Sequence, residues 1–155
     1  MMAVDGSVAD DAVIETVAGR AWPATTEFQV VTVVDARLDA ARASTESFVA
    51  WQHPRRTVAE ARARLLMEKC RNRFRSAGLR VDTLIFEKDF ARRLAQQAKV
   101  WEADCVFLGR PGPSRGGGSI LERTVFAAAA CAPCSVEVVR CRAPAPDSRG
   151  PRTSQ

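Results

Sequence analysis

The 155-residue sequence contains few of the side chains that metal and catalytic sites need. It has no tyrosine and a single histidine, His53. A zinc site would need a second pair of ligands beside Cys131 and Cys134, and none stands at a usable spacing. His53 adjoins Pro54 in a polar stretch without a partnered Ser or Cys motif, so we interpret it as a surface residue rather than a general base. We therefore expect no metal site of the chain's own and assign no catalytic residue.

Long hydrophobic runs are also missing. No stretch approaches the roughly 20 apolar residues that span a bilayer, and the start lacks the charged-then-apolar order of a secretory signal. The five cysteines, an odd number, agree better with a reducing compartment than with a disulfide framework. We therefore expect a cytoplasmic protein that does not associate with a membrane.

Lysine is scarce, because only Lys69, Lys88 and Lys99 stand among the 23 basic residues. The net charge of +5 is therefore carried mainly by arginine. A basic balance can attract nucleic acid, but the sequence has no basic patch interleaved with aromatic residues and no nucleic-acid motif. We interpret the arginines as a solvated surface and do not expect a nucleic-acid partner.

Apolar strands alternate with amphipathic helical stretches along the chain. The predicted strands are residues 1–4, 28–34, 81–86, 105–108 and 136–139, and helices are predicted around 13–18, 56–77, 90–101 and 119–131. This alternation predicts an α/β domain, a doubly wound parallel sheet with helices on both faces. The domain is expected to span residues 1–141, because Pro, Ser and Arg dominate the remaining 142–155 and predict a disordered tail.

Two glycine-containing turns follow the first and fourth predicted strands. Asp5-Gly6-Ser7 ends the first, and Gly109-x-x-Gly112 ends the fourth. With right-handed crossovers, these two strands can lie side by side where the winding of the sheet reverses. Open α/β sheets bind ligands in the crevice at that point. The sequence thus predicts a ligand crevice between the two turns, with Asp5 also capping the helix that follows.

Three motifs together resemble the universal stress protein family over residues 1–141. They are Ala3-Val4-Asp5-Gly6-Ser7, the strand from Ala103-Asp104 into Gly109-x-x-Gly112, and Ala132-Pro133-Cys134 before a valine-rich strand. The resemblance implies a five-stranded parallel sheet in the order 3-2-1-4-5. It also implies a homodimer formed through the last strand, Val136–Val139, and ATP binding in many members. The nucleotide-binding residues it implies here are Asp5, Val33, Leu108, Gly109, Gly112, Ser119 and Arg123.

The sequence departs from the ATP-binding pattern of that family at one point. ATP-binding members have Gly-x-x-Gly, nine residues, and then Gly-Ser or Gly-Thr, whereas this chain has Glu122-Arg123 at the last two positions. A carboxylate near the phosphates and the loss of a glycine both predict a weakened site. Arg123 or the flexible Gly116–Ser119 stretch could instead hold an anion in a shifted register. We therefore expect a weakened or altered nucleotide site.

Three functions remain open at this point. The first is a regulatory or binding module of the stress response with possible protein partners, more a binding protein than an enzyme. The alternative is an ATP-binding universal stress protein with slow ATP hydrolysis. The third is a structural partner that docks another protein through its last strand. Cys131-Ala132-Pro133-Cys134 has redox spacing, but it closes a helix, where the dipole opposes a thiolate, so we interpret Cys134 as a packing residue.

Overall fold

A five-stranded, all-parallel sheet forms the centre of the protein. The computed structural model describes residues 1–7, 9–34, 52–87, 89–110, 127 and 130–140. In chain order, the strands are β1 Met2–Ala3, β2 Glu27–Val34, β3 Arg80–Glu87, β4 Cys105–Arg110 and β5 Ser135–Arg140. They lie in the order β3-β2-β1-β4-β5. The predicted fold class and strand order are confirmed.

Helices cover both faces of the sheet, as predicted. In the described ranges they include α1 (Ala9–Ala18), α2 (Gln52–Ser76) and α3 (Phe90–Val100). Helix α2 begins four residues before the predicted start at residue 56, since Pro54 falls within its first turn, where no intrahelical N–H is needed. The stretch around His53 is therefore helical rather than a connecting loop. Most of the predicted helix 119–131 and all of the predicted tail 142–155 lie outside the described residues.

The core is divided into two layers because successive strand side chains point to opposite faces. On one face, α1 and α2 pack against alternate residues of the sheet, among them Met2, Val30 and Phe107. On the other face, α3 packs against the intervening residues, among them Ala3, Val31 and Leu108. Strands β1, β2 and β4 are thus buried on both sides, which explains their nearly continuous apolar sequences. No helix in the described part of the chain is long and apolar enough to cross a membrane.

Strand register aligns the predicted ligand-binding turns. Ala3 of β1 pairs with Val31 of β2 and with Leu108 of β4. The residues that continue these strands, Asp5, Val33 and Gly109, therefore emerge at the same carboxyl edge of the sheet. The winding reverses between β1 and β4, so the crevice expected of a doubly wound sheet lies at this edge.

Candidate functional site

The turn after β1 is held by the carboxylate of Asp5. Gly6 has a φ of 79°, a left-handed conformation that glycine adopts without steric cost. Asp5 is 8% exposed, and its Oδ1 accepts a hydrogen bond from the backbone N–H of Ser7 at 2.9 Å. This hydrogen bond shows Asp5 holding the turn that leads into α1, and its predicted capping of the helix itself stays a prediction.

Asp10 is a second buried carboxylate at the same turn, and our sequence reasoning did not select it. It lies in the first turn of α1 and is 2% exposed. Its Oδ2 accepts hydrogen bonds from the backbone N–H groups of Asp5, at 3.1 Å, and of Gly6, at 2.6 Å. The position of Asp10 in the sequence indicates its burial, because Asp10 falls on the apolar helical stripe that continues through Val13 and Val17.

The two carboxylates occupy the backbone N–H groups of this turn. The N–H groups of Asp5, Gly6 and Ser7 all donate to carboxylate oxygens of the chain itself. Backbone N–H groups in such turns are the usual ligands for phosphate, so an anion here would have to displace an internal partner.

Gly109 has a packing role on the opposite side of the crevice. A Cβ built at this position would lie 2.7 Å from Cγ2 of Val13 and 3.2 Å from Cβ of Ala9, both on α1. Glycine is therefore needed for α1 to lie close against β4, whatever else its backbone contacts. This close approach places the start of α1 directly against the end of β4.

The structure brings some of the predicted nucleotide-binding residues together. Asp5, Val33, Leu108 and Gly109 lie at or near the same edge of the sheet. The side chain of Leu108 is fully buried in the α3-side core and Val33 packs against that core, so each could meet a ligand mainly through its backbone. The remaining predicted residues, and the departure from the family pattern, lie outside the described residues: Gly112, Ser119, Glu122 and Arg123.

Three cysteines of the described chain, Cys70, Cys105 and Cys134, pack in or against the core, whereas Cys131 does not. The last helical turn ends at Cys131, which is exposed, and β5 begins one residue after Cys134. Burial raises the pKa of the Cys134 and Cys105 thiols, and it raises the pKa of Cys70 to about 12. A raised pKa opposes the thiolate that redox chemistry requires. Within the described ranges, no three His, Cys, Asp or Glu side chains are grouped so that they could hold a metal ion.

Strand β5 lies at one edge of the sheet and is tied to α1. Arg20, just after α1, forms a bidentate ion pair with Glu137 of β5, and its guanidinium lies 5.4 Å from the centre of the Phe107 ring. Among the described strands, β5 pairs with β4 alone. Val138 is 37% exposed on this strand. An edge of this kind is a surface that proteins usually cover or pair.

Comparison with known proteins gives one family and several similar folds. The sequence matches the model of the universal stress protein family over residues 1–140. Comparison with curated protein sequences gives no significant match.

Three solved structures illustrate the likeness of fold. The hypothetical protein MJ0577 has a TM-score of 0.69 at 14% identity, covering 92% of this chain and 96% of its own. Universal stress protein UspA from Lactobacillus plantarum has a TM-score of 0.62 at 20% identity, with coverages of 90% and 96%. A universal stress protein family protein from Arabidopsis thaliana, solved with AMP bound, has a TM-score of 0.60 at 15% identity, with both coverages 92%. At these sequence identities the likeness shows a shared fold and nothing further.

Proposed function

The chain belongs to the universal stress protein family, and from this premise we propose that it is a regulatory binding module of the stress response with a weakened adenine-nucleotide site. The site lies at the carboxyl edge of the sheet, between the end of β1 and the end of β4. A protein of similar fold from Arabidopsis thaliana was solved with AMP bound, which supports an adenine nucleotide as the ligand.

The observation that carries the proposal is the internal use of the turn after β1. Its three N–H groups donate to the carboxylates of Asp5 and Asp10, so these donors are not available to a phosphate group. Glu122, which stands in the sequence where ATP-binding members have glycine, adds a further negative charge. Two like charges about 4 Å apart repel by about 4 kcal/mol at an effective dielectric constant of 20, and about 1.4 kcal/mol changes affinity tenfold. A nucleotide with fewer charges, such as AMP, should therefore bind better than ATP.

Calorimetric titration of the nucleotide-stripped protein with AMP and with Mg-ATP tests this proposal. The variant Glu122→Gly/Arg123→Ser restores the family pattern and should raise ATP affinity at least tenfold. Glu102→Gly is the matched control, because it removes one carboxylate at the amino edge of the sheet, between α3 and β4. It should leave ATP affinity unchanged. An unaltered ATP affinity in the restored variant would contradict the proposed cause of weakening, and no binding of either nucleotide would contradict the proposed function.

The homodimer is part of the same proposal, with β5 as the contact. The exposed edge of β5 and the side chain of Val138 support it. Val138→Lys would place a charge on that edge, and light scattering should then give the mass of a monomer where the unmodified chain gives a dimer. A cytoplasmic location is proposed from the odd cysteine count, which agrees with a reducing compartment. The alternative function is slow ATP hydrolysis, and no observation on the described residues favours it.

A further inference from the structure

We infer that helix α2 carries a docking surface for an acidic amphipathic helix of a protein partner. The surface consists of Val58, Ala61 and Leu65 and is called the α2 stripe below. It lies on the part of α2 that precedes the contact of this helix with α1. The inference goes beyond the proposed function, because contact with another protein at this stripe does not depend on nucleotide binding.

Helix α1 covers only the later part of α2. Lys69 of α2 forms an ion pair with Asp11 of α1, and one turn later Arg73 pairs with Glu15. The two pairs follow the same order along both helices, so α1 and α2 run side by side in the same direction. Helix α1 begins at Ala9, two residues before Asp11. The residues of α2 more than two positions before Lys69 therefore lie beyond the start of α1.

Apolar side chains occupy this uncovered part of α2. Val58 is 50% exposed, Leu65 is 71% exposed, and Ala61 between them is exposed as well. The spacing i, i+3 and i+7 places the three side chains on one side of the helix. Isolated apolar residues on a surface are ordinary, but a row of them at helical spacing is the pattern by which one helix packs on another.

The charge of α2 favours an acidic partner over a second copy of the chain. Two α2 helices packed on each other would bring like charges together, whereas carboxylates that flank the apolar residues of a partner helix would be attracted. Helix α1 already meets α2 in this way, with carboxylates against basic side chains. Between positions 58 and 76, six basic residues stand against two acidic ones: Arg62, Arg64, Lys69, Arg71, Arg73 and Arg75 against Glu60 and Glu68.

Fluorescence anisotropy with two labelled synthetic peptides tests the inference. Both peptides are alanine-based helices with leucine at positions i, i+3 and i+7, and the positions beside the leucines are Glu in one peptide and Lys in the other. The Glu peptide should bind the chain in a saturable manner below about 1 mM, and at least about tenfold more tightly than the Lys peptide.

Variants of the chain locate the binding surface. Leu65→Gln should weaken binding of the Glu peptide about tenfold, equivalent to about 1.4 kcal/mol, and Val58→Gln should also weaken it. Val100→Gln is the matched control, because Val100 is 78% exposed on α3, outside the α2 stripe. It should leave the affinity unchanged. All three side chains are exposed, so the thermal midpoint of each variant should stay within about 2 °C of that of the unmodified chain.

Several results would overturn the inference. Absence of saturable binding of the Glu peptide, or equal affinities for the two peptides, would remove the acidic partner. Equal weakening by Leu65→Gln and Val100→Gln would place the binding elsewhere on the surface. A lower mass of Leu65→Gln in light scattering would make the α2 stripe a contact between copies of the chain. The nucleotide titrations are separate measurements, so the proposed function stands or fails independently of these results.

Discussion

Replacing Gly109 by alanine should destabilise the fold through a defined steric contact. The added Cβ would lie 2.7 Å from Cγ2 of Val13 and 3.2 Å from Cβ of Ala9. Carbon atoms in proteins pack best at about 3.5–4.0 Å. The first contact is therefore short by about 0.8 Å or more, and α1 would have to move away from β4.

The expected cost follows from the environment of Val13. This side chain is fully buried in the core between α1 and the sheet, so it has no open space to occupy. Forcing extra methyl groups into a filled core costs about 1–3 kcal/mol. We expect Gly109→Ala to reduce the free energy of unfolding by about 2 kcal/mol.

A double-mutant cycle measured by urea unfolding identifies the contact. Val13→Ala alone removes two buried methyl groups and should cost about 2 kcal/mol. In Gly109→Ala/Val13→Ala the clash is absent and the new methyl group refills part of the space. The combined loss should therefore be smaller than the sum of the single losses by about 1 kcal/mol or more.

Gly78→Ala is the matched control for this cycle. Gly78 has a φ of 75°, and a Cβ built there meets nothing within 4 Å. Its substitution should cost about 1 kcal/mol through backbone strain, and that loss should simply add to the loss caused by Val13→Ala. Additive losses in the Gly109 cycle, or a loss below about 0.5 kcal/mol for Gly109→Ala, would refute the packing argument and leave ligand contact as the reason for this glycine.

Three further predictions concern other parts of the chain. Glu102→Gly should raise the free energy of unfolding by about 0.5–1 kcal/mol, because Glu102 has a left-handed φ of 50° after α3. A free energy of unfolding in urea below that of the unmodified chain would contradict this prediction. A thiol reagent at pH 8 should modify the exposed Cys131 at once. It should modify Cys70 only on unfolding, because burial raises the pKa of Cys70 to about 12. Rapid labelling of Cys70 in the native protein would contradict its burial. Arg20 holds the pKa of Glu137 below its ordinary 4.5, so this pair stabilises the fold above that pH and loses its contribution as the pH falls through the lowered pKa. Arg20→Ala should remove that part of the acid dependence, a few tenths of a kcal/mol for so exposed a pair, and an unchanged pH profile of unfolding would show that the pair contributes nothing.

Local patterns in the sequence were sufficient to predict the architecture. Strand and helix periodicities depend on neighbouring residues, and the alternation of the two allows few sheet topologies once crossovers are right-handed. The strand ends were less certain, because β4 and β5 extend beyond their apolar residues into Arg110 and Arg140 through backbone hydrogen bonds with each other. Helix α2 starts earlier than the sequence predicts, because Pro54 lies in the first turn of the helix, where its missing N–H costs no hydrogen bond.

The candidate site was predicted in position but not in detail. The two turns could be placed at one crevice, because strand order brings their ends together. Asp10 was overlooked since its burial depends on the fold of the turn it contacts, five residues earlier in the chain. Gly109 was interpreted as a ligand contact alone, because the proximity of Val13 exists only when α1 packs on β4.

The sequence by itself thus determined which segments are strands and helices, the order of the strands, and the edge where a ligand would bind. The segments follow from short-range periodicity and the edge from right-handed crossovers, whereas the full strand order is what the resemblance to the universal stress protein family implies. Only the tertiary structure decided which hydrogen-bonding groups at that edge are already used and which, like Ser7 Oγ, lack a partner. That assignment depends on distances of a few ångströms between groups brought together by packing, and residue type and spacing do not encode those distances.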